Sequence, residues 1–393
     1  MIVVIADDIS GSSEIGGIGL AYGLKVELQR GFCSESEAEL LIIDTDTRSL
    51  SHKKAGQVIR DVARNIKTSG LPIEWIYKKT DSVLRGPVGS ELKALQDVMC
   101  VSRVLLVPAN PSKGRIVRNG SYFINEKLLS ETDFVNDPEC PAITSIILEF
   151  PAFSGSSQIH LMKSNQVLSG EGIIVGQAET TGDLSRWSEQ MDEQTIMAGA
   201  GEFFEAILSN KRIIRKKMAE KPEFRLKNKA LFVCGSSSDS SRQALRKPDR
   251  LGVKVCRMPE GLFRTPQSGV KFFQQWSDEI IESFENGSGV IITIDREVVR
   301  DAEFAGKLRS VIAQVVLAVS QRVSLTEFFV EGGATASEIV DCFGWKRFEP
   351  CDQLCPGVVR MRVLESSNIY LTIKPGSYPW PKRMWEKAMF ETF

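Results

Sequence analysis

Short apolar runs alternate with amphipathic stretches through the first half of the chain. Residues 2–6, 40–44, 74–78 and 103–107 read as strands, and 13–23, 53–67 and 88–100 as helices. This alternation predicts a mainly parallel sheet covered by helices. Past Pro138 the pattern loosens. It resumes with Ile143–Phe150, a helix from Ser157, a strand at Gly172–Gly176, a helix near Asp183–Gln190, and Thr195–Ala198 leading into Gly201–Leu208.

Between Lys211 and Lys229 stand nine Lys/Arg against two Glu, with Pro222 inside, and then Ala230–Cys234 restarts a buried strand. A domain boundary belongs there, giving domains 1–222 and 228–393. The basic run reads as a solvated helix and linker rather than a binding site. The second half repeats the rhythm with Val253–Arg257, a helix over 268–286, Gly289–Ile294, a helix over 303–322, Glu327–Val330 and a helix opening at Glu331–Thr335. The expected fold is therefore α/β, with two domains, each a mainly parallel sheet flanked by helices, and a cleft between them.

At 393 residues the chain exceeds what one hydrophobic core serves, which agrees with two domains. The balance of 49 basic against 50 acidic residues gives no global basic field, so nucleic acid is not an expected partner. No run approaches the ~20 apolar residues of a membrane span. No signal sequence precedes the first strand, so a cytoplasmic location without membrane attachment is expected. A homo-oligomer is compatible with the sequence. The eight cysteines include no C-x-x-C pair, and His52 and His160 stand far apart; no disulfide framework and no protein metal site are assigned.

Candidate chemistry gathers where strands end. Ile2–Ala6 delivers Asp7 and Asp8 into a Ser10-Gly11 turn, at the strand end where open α/β sheets place their sites. After Trp75-Ile76-Tyr77 comes a block running from Lys78 to Leu92 that holds Lys79, Asp81, Ser82, Arg85 and Gly86. Arg85 can grip a carboxylate with two parallel bonds, Gly86 clears space, and Pro87 suits a first helical turn whose free amides favour an anion. An Arg85–Asp81 or Arg85–Glu91 ion pair in a capped connection explains the same residues structurally. In the second half, Gly235-Ser236 and Gly332-Gly333-Ala334-Thr335 each follow a strand, which lets backbone amides approach a phosphate. Gly11 and Gly16 lack the Lys-Ser/Thr of a P-loop.

Ala6-Asp7-Asp8-Ile9-Ser10-Gly11, Lys79-Thr80-Asp81-Ser82-Val83-Leu84-Arg85-Gly86 and Pro108-Ala109-Asn110-Pro111-x-x-Gly114-Arg115 together resemble the sugar-binding domain of the four-carbon acid sugar kinase family. Cys234-Gly235-Ser236, Gly332-Gly333-Ala334-Thr335, Pro356-Gly357-Val358 and Ile373-Lys374-Pro375-Gly376 are similar to its nucleotide-binding domain. The resemblance spans nearly the whole chain. It implies a kinase without a P-loop that uses ATP and Mg²⁺ to phosphorylate the terminal hydroxyl of threonate, erythronate or 3-oxo-tetronate. On that reading Asp8 or Asp81 takes the hydroxyl proton, and Lys79 and Arg115 balance developing charge. Arg85, Ser82, Ser10, Gly86 and Asp7 hold the acid, while Gly235, Ser236, Gly332, Gly333, Ala334, Thr335 and Gly376 line the nucleotide.

Ala334 replaces the acid of the family's Gly-Gly-acidic-Thr, and Pro375 departs from its Lys-Ser-Gly run. A non-catalytic sugar-acid sensor with a decayed ATP site is thus one alternative. The other comes from Gly199-Ala200-Gly201-Glu202, which is similar to the anion-hole turn of ribokinase-like kinases with Glu202 in the place of the catalytic Asp.

Overall fold

A computed structural model describes the chain except residues 138, 156–157, 212, 214–228, 236–253, 267–268, 286, 288, 297–300, 367, 377, 379 and 382–393. Two compact units divide it, Met1–Lys216 and Lys217–Phe393. The boundary expected at 222–228, most of the basic run before it and Ser236 lie outside the described residues.

In the first unit, the uninterrupted apolar stretches become strands β1 (Ile2–Ala6), β3 (Leu40–Asp44), β4 (Trp75–Lys79) and β5 (Arg103–Val107). With β2 (Val26–Arg30), β9 (Ile159–Lys163), β10 (Gly172–Gln177) and β11 (Thr195–Gly199) they form one sheet in the order β2-β3-β1-β4-β11-β5-β10-β9. Every pairing in it is parallel. Parallel sheets need cover on both faces, and helices supply it. On one face Val3, Ile5, Leu41 and Ile43 share a core with Ile59 and Ile66 of α2 (His52–Thr68) and Leu92 and Leu95 of α3 (Val88–Met99). On the other, α1 (Ile9–Ala21) packs on β2, β3 and α5 (Gly201–Asn210), which also contacts α4 (Thr181–Ser188). There Tyr77 of β4 meets Phe204 at 5.2 Å between ring centres.

Several expectations fail for local reasons. The chain at Val26–Arg30 is a strand although Glu27, Gln29 and Arg30 break its apolar run; Gln29 bonds Glu27 at 2.9 Å and Arg30 bonds Asp44 at 2.6 Å, so the polar groups are buried in pairs. The helix expected from Ser157 is instead β9, half-exposed at the sheet edge; Ser157 itself lies outside the described residues. Ile143–Phe150 holds only a single 3₁₀ turn, Ile147–Glu149. Helix α1 begins four positions before 13, because Asp8 caps it. A small antiparallel sheet, β6 (Arg115–Arg118), β7 (Ser121–Ile124) and β8 (Lys127–Leu128), carried no periodic signal.

The second unit orders its strands β13-β14-β12-β15-β18-β17-β16. Their ranges are β12 (Ala230–Cys234), β13 (Lys254–Arg257), β14 (Gly289–Thr293), β15 (Glu327–Glu331), β16 (Arg347–Cys355), β17 (Val358–Val363) and β18 (Tyr370–Lys374). The first five in spatial order run parallel, while β17 is antiparallel to both neighbours. Phe232 and Phe329 stack at 4.5 Å in its core. Among the described residues, no helix is long and apolar enough to cross a membrane.

Candidate active site

In the first unit the connection leaving β1 travels to β2 on one side, and the connection leaving β4 travels to β5 on the other. Open α/β sheets form a crevice beyond the carboxyl ends of such neighbours. Asp7 and Asp8 leave β1 there, and Thr80, Asp81 and Ser82 leave β4 beside them.

Asp8 is extended (φ −151°, ψ 161°) and caps α1, accepting the Gly11 N–H at 2.8 Å and the Ser10 hydroxyl. A Cβ at Gly11 would lie 2.8 Å from Asp8 Oδ1 and 3.0 Å from Lys79 Nζ, so any larger residue here would displace the two charged groups. Alternation turns Asp7 to the opposite face. What joins the pair is Arg48, delivered by the β3–α2 turn. That turn is tied to β1 by Thr45 Oγ1 donating to Ala6 O at 2.8 Å and by the Arg48 N–H donating to Asp7 O at 3.2 Å. Arg48 Nε donates to Asp7 Oδ2 at 2.8 Å, and Nη1 and Nη2 donate to Asp8 at 2.7 and 2.6 Å. Its Nη2 also stands 3.9 Å from Asp81. Burial raises the Asp7 pKa, but Arg48, Lys78 and Lys79 outweigh it and hold the carboxyl below the usual range.

Arg48 was missed in the sequence. The signal was present, because Thr45-Asp46-Thr47-Arg48-Ser49 follows an apolar strand just as the Lys79–Arg85 block does.

Asp81 accepts the N–H groups of Val83 at 3.3 Å and Arg85 at 3.1 Å, and both its oxygens accept from the Arg85 guanidinium at 3.0 and 2.9 Å. Burial opposes ionisation, yet Arg85 and Arg48 keep this carboxyl far below the usual carboxylate range. The turn closes through Leu84 (φ 59°) and Gly86 (φ 85°), whose missing Cβ would sit 2.7 Å from Arg48 O. The ion-pair reading of Arg85 thus describes its contacts: Nε and Nη2 on Asp81, and Nη1 on Asp137 Oδ2 at 2.9 Å.

Arg115 enters from β6. The turn before it is a mutual Asn110–Arg115 backbone pair with Gly114 left-handed (φ 66°), and Arg115 Nη1 donates to Ser82 Oγ. Lys79 Nζ reaches Thr80 O at 3.0 Å and Glu14 at 3.5 Å, and Lys113 shares Glu14 at 2.8 Å. Glu202, at the start of α5, accepts from the N–H and hydroxyl of Ser112. Beneath the crevice Lys78 and Glu91 form a buried pair at 3.0 Å. Asp7 Oδ1, Thr80 Oγ1 and Glu91 Oε1 are buried there without a hydrogen-bond partner.

The second unit repeats the topology. The connection from β12 leads to β13 and that from β15 leads the other way, toward β16. Gly235 follows β12, and Gly332 (φ 95°) opens the helix Gly333–Phe343 after β15. The two turns touch, since a Cβ at Gly235 would lie 2.5 Å from Thr335 Oγ1. Ala334 is exposed on the helix's first turn. At the end of β18, Lys374 pairs with Glu331 at 3.2 Å and donates to the carbonyls of Pro375, Gly376 and Tyr378, which shapes the loop carrying Gly376. Trp380 Nε1 donates to Glu331 at 3.1 Å. Asp295 is held by Arg257 at 2.8 Å.

A model for a sugar-binding N-terminal domain matches residues 2–207, and one for a nucleotide-binding C-terminal domain matches residues 231–378. The chain is 27% identical to a D-threonate kinase of Salmonella typhimurium over 61% of its own length, and spans 59% of that relative's length. A 3-oxo-tetronate kinase of Haemophilus influenzae is 22% identical, with 96% of this chain and 97% of the relative covered. Among solved structures, a Salmonella typhimurium LT2 protein superposes with a TM-score of 0.78 at 18% identity, covering 99% of both chains. A Haemophilus influenzae protein of the DUF1537 family does so with a TM-score of 0.71 at 20% identity, covering 98% of each. The paired crevices and the two domain matches that contain them agree: the chain belongs to the four-carbon acid sugar kinase family.

Proposed function

We propose that the protein is an ATP-dependent kinase that phosphorylates the terminal hydroxyl of a four-carbon sugar acid of the threonate, erythronate or 3-oxo-tetronate class. The observation that carries this reading is the guanidinium and carboxylate cluster of Arg48, Arg85, Arg115, Asp7, Asp8 and Asp81 at the switch point of the sugar-binding unit. Arginine forks suit carboxylates and phosphoryl oxygens, while carboxylates suit sugar hydroxyls.

Phosphoryl transfer asks for positioning and charge neutralisation more than covalent chemistry. Arg85 and Ser82 hold the acid end, with Ser10 and Gly86 bounding it. Asp8 accepts the proton of the attacking hydroxyl; Asp81, whose carboxyl Arg85 and Arg48 hold far below the usual carboxylate range against the effect of burial, instead orients Arg85. Lys79 and Arg115 offset the charge that develops on the transferred group. In the other unit, the amides of Gly333, Ala334 and Thr335 receive nucleotide phosphates, while Gly332, whose own N–H donates to Lys374 O at 2.9 Å, turns the chain, Gly235 lets the two turns meet, and Gly376 has open space beside it. Mg²⁺ arriving with ATP would supply charge neutralisation at the phosphate oxygens. Glu331 and Asp295 are each committed to a cation and do not form a dedicated metal site.

The test is ADP release from Mg-ATP with a panel of threonate, erythronate and 3-oxo-tetronate stereoisomers. Turnover with one of them supports the reading and names the substrate. Acid binding without ATP binding or turnover would replace it with a sensor.

A further inference from the structure

We infer that Asp137 determines specificity by occupying, from within the chain, the arginine edge that the substrate's carboxylate takes over. This rests on the kinase reading above and adds to it a competitor for the acid subsite.

Arg85 has three donor positions in use. Two face Asp81, a buried partner from its own turn, whereas Nη1 faces Asp137 Oδ2 at 2.9 Å. The Asp81 side chain is 8% exposed, against 18% for Asp137 and 29% for Arg85. An incoming anion therefore reaches the Asp137 side of the guanidinium and leaves the Asp81 clamp intact. Asp137 is also equipped to leave. Its Oδ1 accepts the N–H groups of Glu139 at 3.0 Å and Cys140 at 2.9 Å, so the carboxylate keeps partners when Oδ2 gives up Arg85.

The same short segment carries Phe134, whose ring centre lies 5.7 Å from the Arg85 guanidinium and 5.6 Å from that of Arg115. The segment thus covers two of the cations assigned to the acid and the transferred group. A ligand bearing a carboxylate replaces one charge-assisted bond with another, while a neutral polyol would exchange the Arg85–Asp137 bond for the weaker bond of a hydroxyl acceptor. The internal anion reduces apparent affinity for every ligand of Arg85 to the fraction of molecules in which it is disengaged, so that a ligand with a strong acceptor of its own is needed to compete.

Calorimetric titration of the full-length protein with D-threonate, D-erythronate and threitol tests this, comparing wild type with D137N, D137A and E139Q. The amide in D137N keeps an oxygen for the Glu139 and Cys140 N–H groups, and the Glu139 carboxylate accepts from the Ser49 hydroxyl. The expected result is acid binding at least about threefold tighter in both Asp137 variants. Threitol binding should stay weaker than acid binding throughout and gain by no more than the same factor, KM for ATP should not change, and E139Q should behave as wild type. Acid binding equal to or weaker than wild type in D137N would overturn the role of Asp137 and leave the kinase reading standing. A wild type that binds and turns over none of the acids would overturn both.

Discussion

Two carboxylates that look equivalent in the chain differ in what holds them. Asp81 is fixed by four donors from its own turn, while Asp8 caps a helix and shares Arg48 with Asp7. Asp8→Asn is therefore expected to lower kcat by about 10²–10⁴-fold with little change in KM for ATP. Asp81→Asn should act through Arg85 and raise KM for the acid more than it lowers kcat. Steady-state kinetics of both, with Glu202→Gln within about tenfold of wild type, would separate this reading from a ribokinase-like one, which requires Glu202 for turnover. Asp44 offers a pH test. Burial pushes its carboxyl up to about 7 although Arg30 Nη1 lies 2.6 Å away, with Asp46 adding to the rise. The folded state therefore holds this proton more tightly than an unfolded chain, whose Asp titrates at about 4. The stability it contributes is full below that value and is lost as pH rises through 7. Chemical denaturation at pH 5 and pH 8 should show wild type losing stability relative to Asp44→Asn over that interval; parallel pH profiles would rule this out.

At the scale of elements, the turns after the strands set the site, and Gly199 is the most constrained of them. With φ at 145°, it ends β11 in a region closed to other residues, and a Cβ would run into the Val107 carbonyl. Gly199→Ala should cost about 3 kcal/mol, whereas Gly31→Ala, left-handed but with open space around it, should cost about 1 kcal/mol; denaturant midpoints of the two variants check the ranking. The strand-end motifs at Asp7–Ser10 and Lys79–Gly86 were legible because each is contiguous and follows an unbroken apolar run. Arg48 was not legible as their partner, because nothing local says that its turn docks on β1. β2 escaped because its polar groups are satisfied by one another and by β3, so burial did not require an apolar sequence. Asp137 lies in a stretch without period, and the Glu331–Lys374 pair arises from strand register that only the folded sheet shows.

For the molecule, the division at Lys216 places the acid cluster wholly in one unit, with its own two-faced core. A fragment of residues 1–211 should unfold cooperatively and retain acid binding without turnover. A fragment without a cooperative transition would show that the core depends on the rest of the chain. The strand order carries a further consequence for synthesis. β1 finds its hydrogen-bonding partners only in β3 and β4, and the second of these follows it by roughly 70 residues. At ribosomal speeds of about 5–20 residues per second, the edge of Ile2–Ala6 that faces β4 stays unpaired for several seconds, an apolar edge in search of a neighbour. The strand that carries Asp7 and Asp8 is thus also a point of vulnerability to misassembly during translation.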